Sequence, residues 1–433
     1  MAQPEVTNRL PDVFGVSRDL PLTYTGREYV DGKFLNSLAR DKHLVVYGGS
    51  KQGKTCLRKH CLQPNDYIVV QCANATTTAQ LYAAVLKEAG ASVDVSQKTT
   101  TSGEHKLRVE FTAAAKVPLV AKGEAAAAGE LSKGSAKTIE KQFLEISPSD
   151  PNDVIRVLES MGFTQFIVLE DFHYLSEEVQ KQVAIDLKAF HEKSKLCFIV
   201  VGVWLESNRL VLYNGDLGGR LIPIDADRWE EVDLKNVIKA GEALLNIDFP
   251  RPVRDELLSA SQGNVGILQE TSYRLCEKQG IFQTQVSLTS VGSIEEVRAT
   301  VHQIATEQAG RYQNFLTQVV EGFQKTELEM YRWIAHVLIH AKSADLKKGL
   351  KANDIFNRMK RVHPKQNSLL YNNVLQALKN VGRLQHKSTV QPIILDFDSN
   401  ESVLRIVDGG FTLFLGSQDS HELCALIGLP GIA

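Results

Sequence analysis

The sequence has no long uncharged apolar run, and this absence excludes a helical membrane protein. No stretch approaches the roughly 18 residues that a membrane-spanning helix requires. The N-terminus, MAQPEVTNRL, lacks the basic and apolar segments of a secretory signal peptide. The six cysteines form no Cys-x-x-Cys pair and no regular framework, so we expect reduced core residues rather than disulfides or zinc ligands. These absences predict a soluble, cytoplasmic protein without a membrane partner, and 433 residues allow two or three domains.

Net charge is also small, at −2, but positive charge is concentrated in one segment. Residues 342–387 contain eleven Lys or Arg against two acids, a local net charge of +9 that leaves −11 for the rest of the chain. A basic module on an acidic body favours nucleic acid as a partner. The alternative is a solvated basic face on a domain that contacts proteins.

Residues 45–57, VVYGGSKQGKTCL, begin as an apolar strand and then break at two glycines. The spacing of Gly48 and Gly53-Lys54-Thr55 matches the G-x-x-x-x-G-K-[ST] pattern of a phosphate-binding loop. Glycine lets the backbone turn tightly, so that successive N–H groups and the N-terminus of the next helix can point at one anion. Lys54 would reach the outer phosphates of ATP, and the Thr55 hydroxyl would bind Mg²⁺. The predicted nucleotide-binding residues of the loop are Gly48, Gly49, Ser50, Lys51, Gln52, Gly53, Lys54, Thr55 and Cys56.

Strand and helix patterns alternate on both sides of this loop. Such alternation predicts an α/β fold, with a parallel sheet and helices on both of its faces. Residues 226–300 are predicted to be mostly helical, with breaks at DFPRP and QGN. The predicted elements before them are helical spacing at 24–40, strands at 43–47 and 67–72, a helix at 77–90, a helix from Pro151, a buried strand within 163–175, a helix after Ser176 and a strand at 195–205.

Residues 91–147 interrupt the alternation. The segment KLRVEFTAAAKVPLV alternates like a strand or hairpin, whereas AKGEAAAAGELSKGS is a low-complexity stretch with no predicted shape. Two interpretations stay open: a surface insertion, or a protruding hairpin that contacts a neighbouring subunit or a polymer.

Two acids, Glu170 and Asp171, follow the apolar strand Phe166-Ile167-Val168-Leu169 directly. A parallel strand would deliver them to the C-terminal edge of the sheet, where open α/β sheets bind their ligands. We expect one carboxylate to hold Mg²⁺ together with Thr55 and the other to polarise the attacking water, with the division of roles left open. The alternative is a pair of solvated acids at a strand end.

Four stretches together resemble the AAA+ ATPases, specifically their origin-recognition-like and STAND-related branch: YTGREYVDGKFLNSL, VVYGGSKQGKT, FIVLEDFHYL and NGDLGGRLIPIDADRW. The resemblance covers residues 24–300, and its most specific part is the phosphate-binding loop. It implies that Gly26-Arg27-Glu28 begins a segment near the adenine, with Tyr29 and Val30 as contacts, so Arg27 and Tyr29 join the predicted nucleotide-binding residues. It also implies that Arg220 is a catalytic finger that reaches the γ-phosphate on a neighbouring subunit, and hence a homo-oligomer.

The chain departs from the family pattern in three places. Glu170-Asp171 stands where the family usually has Asp-Glu. The usual polar sensor after the strand at 195–205 is replaced, which leaves residues 206–208 as candidates. The QGNVG stretch lacks the arginine of the lid motif that it resembles, and Arg274 is its candidate substitute. The rival finger residues are Arg209 and Arg228.

The C-terminal part has the element order of a winged helix. Helices are predicted at 326–341, 351–363 and 367–384, and then PIILDFD, SVLRIVD and FTLFLGS alternate around turn residues like a short β-hairpin. In the resembling family such a domain is appended to the ATPase, and its third helix would lie in the major groove of double-stranded DNA. That helix carries only Lys379 and Arg383, so backbone contact is favoured over base recognition.

The predicted domains are an N-terminal arm (1–23), an AAA+ core (24–225), a helical lid (226–305) and a winged-helix domain (306–433). The function expected from them is an ATP-binding and ATP-hydrolysing oligomeric switch that docks on DNA or an effector protein. The alternative is a nucleotide-gated scaffold or adaptor of a bacterial antiviral defence or transposition system. A small-molecule kinase is disfavoured because no acceptor-binding pattern is visible.

Overall fold

A five-stranded parallel sheet forms the centre of the computed structural model, which describes residues 7–16, 19–99, 105–112, 141–322, 327–387, 390 and 392–429. Both faces of this sheet are covered, since Leu44 and Val46 pack in one apolar cluster and Val45 and Tyr47 in another. Strands buried on both faces are continuously apolar, which explains the runs in the sequence. The predicted α/β class and parallel sheet are therefore confirmed. In spatial order the strands are Tyr67–Gln71, Phe166–Glu170, Phe198–Val203, His43–Gly48 and Leu221–Asp225.

Helices connect the strands of this sheet domain. Thr77 and Asp150 cap two of them through side-chain oxygens, and Ser176 caps a third. The bounds are Lys33–Leu38, Lys54–Cys61, Thr78–Glu88, Pro151–Ser160, Glu177–Lys193 and Arg209–Tyr213, with shorter helical turns at Glu28–Gly32, Pro64–Asp66, Phe172–Tyr174 and Gly215–Leu217.

The predicted insertion contributes a second, antiparallel sheet of three strands: Ser92–Thr99, His105–Thr112 and Lys141–Ile146. Leu107 and Phe111 of its middle strand are buried in the same cluster as the helices beside the parallel sheet. This part of the insertion therefore belongs to the body of the protein. The low-complexity stretch at 121–135 lies outside the described residues.

Residues 226–307 form a helical segment of four helices, Glu231–Leu245, Arg251–Ser261, Val265–Lys278 and Ile294–Glu307. Two short strands, Ile247–Asp248 and Thr289–Ser290, pair in parallel between them. The N-terminal arm packs here: Leu10–Val13 is a helical turn, and Leu10, Val13 and Phe14 are fully buried among the helices. A Cβ at Gly241 would lie 2.0 Å from the Phe14 ring, so the glycine makes room for the arm. The described part of the arm is thus packed rather than frayed.

The C-terminal segment, residues 309–429, has its own apolar core. Leu350–Lys351 and Leu395–Asp398 both pair antiparallel with Val403–Ile406. We call Leu395–Ile406 the C-terminal hairpin. The helices are Ala309–Thr317, Met330–Ile339, Ser343–Lys348, Ala352–Val362, Tyr371–Lys387, Gly409–Ser417 and Ser420–Leu426, with a turn at Gln318–Gly322.

The stretch FTLFLGS is a helix, Gly409–Ser417, and does not continue the hairpin. Phe411 and Phe414 are fully buried, and the Asp408 carboxylate accepts a bond from the Gly410 N–H as an N-cap. An apolar run of this length has no periodicity that separates a buried strand from a buried helix, so the expectation of strand-like alternation here was wrong.

The C-terminal hairpin faces the sheet domain. Ile393 and Val407 pack on Val203 at the end of a central strand. Arg209 donates to Asp396 of the hairpin, and both side chains are nearly buried. Of the helices that the structure describes, none combines the length and the apolar composition needed to cross a membrane.

Candidate functional site

The phosphate-binding loop (Gly48–Thr55) connects the central strand His43–Gly48 to the helix Lys54–Cys61. Gly53 has φ of 82° and Lys51 has φ of 59°, so the loop passes through left-handed backbone twice. Gly53 adopts that conformation without strain and brings the loop into the helix N-terminus. The Trp229 indole donates to the Gln52 carbonyl at 3.4 Å and supports the loop from the side of the helical segment. The sequence-predicted loop residues therefore lie together at the C-terminal edge of the sheet.

Lys54 is folded back on its own loop. Its ammonium group donates to the carbonyls of Gly48 at 3.1 Å and Gly49 at 2.6 Å. Burial lowers the pKa of Lys54 to about 8, and the nearby carboxylates, Asp227 first, oppose that shift. A half-buried cation with carbonyl partners can exchange them for a polyanion, because charged phosphate oxygens would compensate for the lost hydration far better than carbonyls do.

Thr55 and Glu170 meet directly. The Thr55 hydroxyl donates to Glu170 Oε1 at 2.7 Å. The other carboxylate oxygen, Oε2, is buried without a hydrogen-bond partner and lies 3.8 Å from the Arg58 guanidinium. An orphaned carboxylate oxygen beside a hydroxyl is a donor set that suits a hard cation such as Mg²⁺. These two residues therefore fit the predicted metal site.

Asp171 lies next in the chain but in different surroundings. Its backbone is left-handed, with φ of 55°, and this turn directs its side chain away from that of Glu170. Gln71, at the end of the neighbouring strand, donates to its carboxylate. Asp171 lines the cavity over the phosphate-binding loop, as Lys54 and Thr55 do. The structure thus separates the two acids: Glu170 faces the loop hydroxyl, and Asp171 faces the open space.

The cavity over the loop has walls that the sequence did not reveal. The N-terminal arm supplies Gly15, Val16 and Pro21, and the helical segment supplies Val265 and Gln269. This apolar side is the part of the cavity suited to a flat heterocycle. Loop residues Ser50 to Cys56 form the opposite, polar side. No local motif marks the arm, because its residues reach the cavity through long-range packing.

Arg27 and Tyr29 do not line this cavity, which corrects the expected adenine contacts. Arg27 is buried, donates to the carbonyls of Ala226 and Arg228, and stacks 3.9 Å over Trp229. The Tyr29 hydroxyl donates to an acid of the first helix of the helical segment. Both residues therefore connect the sheet domain to the helical segment. Arg27 also supports the loop indirectly, because it stacks on Trp229, which donates to the Gln52 carbonyl.

The three finger candidates occupy different places. Arg220 precedes the strand Leu221–Asp225 and lies at the N-terminal edge of the sheet, opposite the loop, where it pairs with Glu192 at 2.7 Å. Five strand residues span roughly 16 Å, so Arg220 lies far from the loop of its own chain. Arg209 forms an ion pair with Asp396 of the C-terminal hairpin. Arg228 stacks 4.1 Å over the Tyr29 ring.

The candidate sensors are also engaged elsewhere. The side chains of Glu206 and Asn208 contact Asn400 of the C-terminal hairpin. Arg274 forms ion pairs with Glu270 and Glu307 and lines a second cavity beside Ser50 and Lys51, not the cavity that contains Lys54 and Thr55. Their expected sensor positions are therefore not supported by the described contacts.

Asn264 and Gly266 bring the helical segment against the loop. Asn264 caps the helix Val265–Lys278 and donates to the Ser50 carbonyl at 3.5 Å. A Cβ on Gly266 would lie 2.8 Å from the Cβ of Lys51, so only glycine permits this approach. The QGNVG stretch therefore contacts the phosphate-binding loop directly.

The C-terminal segment also reaches the loop. The Ser50 N–H donates to the Val407 carbonyl at 2.7 Å, directly after the C-terminal hairpin. Gly49 N–H donates to Asp227 at 2.8 Å, and burial raises the pKa of that carboxyl above its ordinary value. Three parts of the chain therefore converge on residues 49–51.

No protein-family model matches the sequence, and no curated protein does. Among solved structures, a Walker-type ATPase of Pyrococcus abyssi is similar to this chain at a TM-score of 0.53 and 13% identity, with 93% of this chain and 99% of that chain covered. The Orc1 protein of Aeropyrum pernix, solved in complex with DNA, gives a TM-score of 0.46 at 10% identity over 96% and 98% of the two chains. RuvB of Thermotoga maritima gives 0.36 at 12% identity over 88% and 92%. The similarity with a TM-score above 0.5, together with the parallel sheet and the phosphate-binding loop, shows that this chain has the fold of a P-loop nucleoside triphosphatase.

Proposed function

We propose that the protein is an AAA+ ATPase that binds ATP with Mg²⁺ and hydrolyses it. The observation that carries the proposal is the bond between the Thr55 hydroxyl and Glu170, because it joins the loop and the strand end at one point beside Lys54. The fold likeness to a Walker-type ATPase supports the same conclusion. The six cysteines are all free thiols, which supports a reducing compartment such as the cytoplasm.

Each residue has a role in this proposal. Backbone N–H groups of the loop and the Lys54 ammonium bind the phosphates, while Thr55 and Glu170 hold the metal. When bound, Mg²⁺ neutralises phosphate charge. Asp171, held by Gln71 at the cavity, accepts a proton from the attacking water.

The proposal includes coupling between the nucleotide and the C-terminal segment. Lys54 must leave the Gly48 and Gly49 carbonyls to reach a phosphate. The next residue, Ser50, is bonded to Val407, so a rearranged loop would pull on or release the C-terminal hairpin. This contact is the route by which nucleotide state would change the docking of the C-terminal segment.

We assign the C-terminal segment to the winged-helix class and propose double-stranded DNA as its partner. From Met330 onward the order is helix, short helix, short strand, two helices and hairpin, and this order supports the assignment. The exposed Lys360, Arg361 and Lys365 supply positive charge for phosphate contacts. The hairpin faces the sheet domain, so DNA contact through it requires the segment to swing out.

The proposal includes a homo-oligomer: Arg220 lies at the opposite edge of the sheet from its own loop, so it could act as a finger only on the γ-phosphate of a neighbouring subunit. A nucleotide-gated adaptor with an effector protein, as in antiviral defence or transposition systems, is the second candidate. Asp171 favours this second candidate. Its side chain is one methylene shorter than that of glutamate and accepts a hydrogen bond from Gln71, and both features would slow hydrolysis.

Two variants test the ATPase proposal. Lys54→Ala should weaken ATP binding roughly 10- to 150-fold, the value of one charged hydrogen bond, whereas Lys87→Ala, at an exposed lysine of the helix Thr78–Glu88, should leave it unchanged. Arg220→Ala should bind ATP normally and lose turnover. Mixing Lys54→Ala with Arg220→Ala chains should restore part of the turnover, because each intact loop then meets an intact finger. Normal turnover in Lys54→Ala would refute the site, and normal turnover in Arg220→Ala would refute the finger.

A further inference from the structure

Two histidines and a cysteine converge in the C-terminal segment, far along the chain from the phosphate-binding loop. His336 lies on the helix Met330–Ile339, His340 follows at its C-terminal end, and Cys424 lies on the helix Ser420–Leu426. One ring nitrogen of each histidine and the thiol sulfur all lie within 4.8 Å of one another. Cys424 Sγ lies 3.9 Å from His340 Nε2. From this geometry we propose that His336, His340 and Cys424 bind one Zn²⁺ ion.

The separations suit a tetrahedral ion. Bonds of ~2.3 Å to sulfur and ~2.0 Å to nitrogen put the two ligand atoms ~3.6 Å apart. The observed 3.9 Å between Cys424 and His340 needs only a small adjustment. The other two pairs of ligand atoms also lie within 4.8 Å, so they need to close by at most about one and a half ångströms through side-chain rotation. Three protein ligands leave the fourth position to water, which the partly exposed His340 admits.

The tautomer of His340 supports ligation. Its Nδ1 lies 3.0 Å from the His336 carbonyl oxygen, one helical turn earlier. A carbonyl can only accept, so Nδ1 carries the proton and Nε2 presents a lone pair towards Cys424. Histidines that bind metals commonly donate their other ring N–H to a backbone carbonyl in this way.

The ligand types select the ion. A thiolate with two imidazoles favours zinc or another borderline-soft ion over Mg²⁺ and Ca²⁺, which prefer oxygen. The site is therefore chemically distinct from Thr55 and Glu170. Zn²⁺ displaces the thiol proton, which leaves to solvent as the Zn–S bond forms, and no oxidant or reductant takes part.

Metal binding would hold the helix Ser420–Leu426 in place. The helix Ser420–Leu426 has seven residues, too few to be stable alone, and it is held through the buried Leu423 and Cys424. A zinc ion would join it to the first helix of the winged-helix order. This site was not predicted from the sequence, because Cys424 lies 84 positions from His340 in the chain.

The test uses the full chain, stripped with a chelator and titrated with Co²⁺ as a spectroscopic probe and then with Zn²⁺. Wild type should bind one Co²⁺ with a thiolate charge-transfer band and the intense visible bands of four-coordination, and Zn²⁺ should bleach both. Cys424→Ser should lose the charge-transfer band, whereas Cys276→Ser, a buried cysteine of the helical segment, should keep it. His340→Asn should weaken metal binding at least tenfold, and its partial exposure makes it the variant that keeps the fold.

Absence of the band in wild type, or its persistence in Cys424→Ser, would overturn the proposal. Should Cys424→Ser fail to fold, the affinity of His340→Asn decides: an unchanged value refutes the site. ATP turnover is not a readout here, so the result is independent of the proposed ATPase function.

Discussion

Glu170 and Asp171 are neighbours in sequence, yet their side chains lie in different surroundings. Glu170 is nearly buried against Thr55 and Arg58, and Asp171 is at the open cavity. Glu170→Gln should abolish the gain in ATP affinity that Mg²⁺ provides, because the amide loses the charge that holds the cation. Asp171→Asn should keep Mg²⁺-dependent binding and lose about 10²–10⁴ in turnover, the usual contribution of a general base. Nucleotide titrations with and without Mg²⁺, and steady-state turnover, check both.

Asp255→Asn is the control, since that acid is exposed on the helical segment and pairs with Arg251. The opposite pattern, with Mg²⁺ dependence lost in Asp171→Asn alone, would reverse the assignment. Wild-type behaviour in both variants would leave the acids as a strand end.

Some residues were predictable and others were not, for a physical reason. The loop residues and the two acids follow local rules, namely glycine at tight turns and acids after a buried strand. Arg27 was misplaced because its neighbour, Trp229, is about two hundred residues away in the chain, and no spacing rule encodes that contact. Val16 and Pro21 were missed for the same reason.

At the scale of elements, the contact between the C-terminal hairpin and the sheet domain contains an unusual acid cluster. Glu206 faces Asp396 and Asp398, with Arg209 between them. Burial, opposed by Arg209 and reinforced by the two aspartates, raises the pKa of Glu206 to about 7. Its neutral form is therefore favoured in the docked state.

This cluster predicts a pH dependence of docking. A carboxyl whose pKa is raised on docking stabilises the docked state fully below its ordinary pKa, and that stabilisation is lost as pH rises to the raised value. The melting temperature of wild type should thus fall relative to Glu206→Gln between about pH 4.5 and about pH 7 and run parallel above it. Glu401→Gln, an exposed acid of the same hairpin, is the control. A constant difference across that window would contradict the prediction.

Element types in the core were predicted well, because buried strands and capped helices are local patterns. The hairpin was also predicted, but the helix Gly409–Ser417 was not. Its apolar residues are buried on all sides, so neither a period of two nor one of 3.6 survives in the sequence.

At the scale of the whole molecule, the phosphate-binding loop is the meeting point of the three parts of the chain. Ser50 contacts both Asn264 and Val407, and Lys51 abuts Gly266. A change in the conformation of the loop would therefore alter its contacts with the helical segment and with the C-terminal segment at the same time. No sequence pattern predicts this convergence, because Ser50 and Val407 are more than three hundred residues apart and meet through a single backbone bond.

The basic C-terminal segment supplies the last prediction, which tests the proposed binding of double-stranded DNA. Lys360, Arg361 and Lys365 are exposed on or just after the helix Ala352–Val362. If they contact phosphates, duplex affinity should fall steeply with salt, by a slope of about −0.9 per contact, because each contact releases counterions. Replacing all three with Ala should flatten that slope by up to about three units for every sequence alike. A matched triple variant at Lys87, Lys181 and Lys195, exposed lysines of the sheet domain, removes the same charge and should keep the slope. Equal slopes in the two variants, or no duplex binding at about 50 mM salt with or without ATP, would favour a protein partner and the adaptor function.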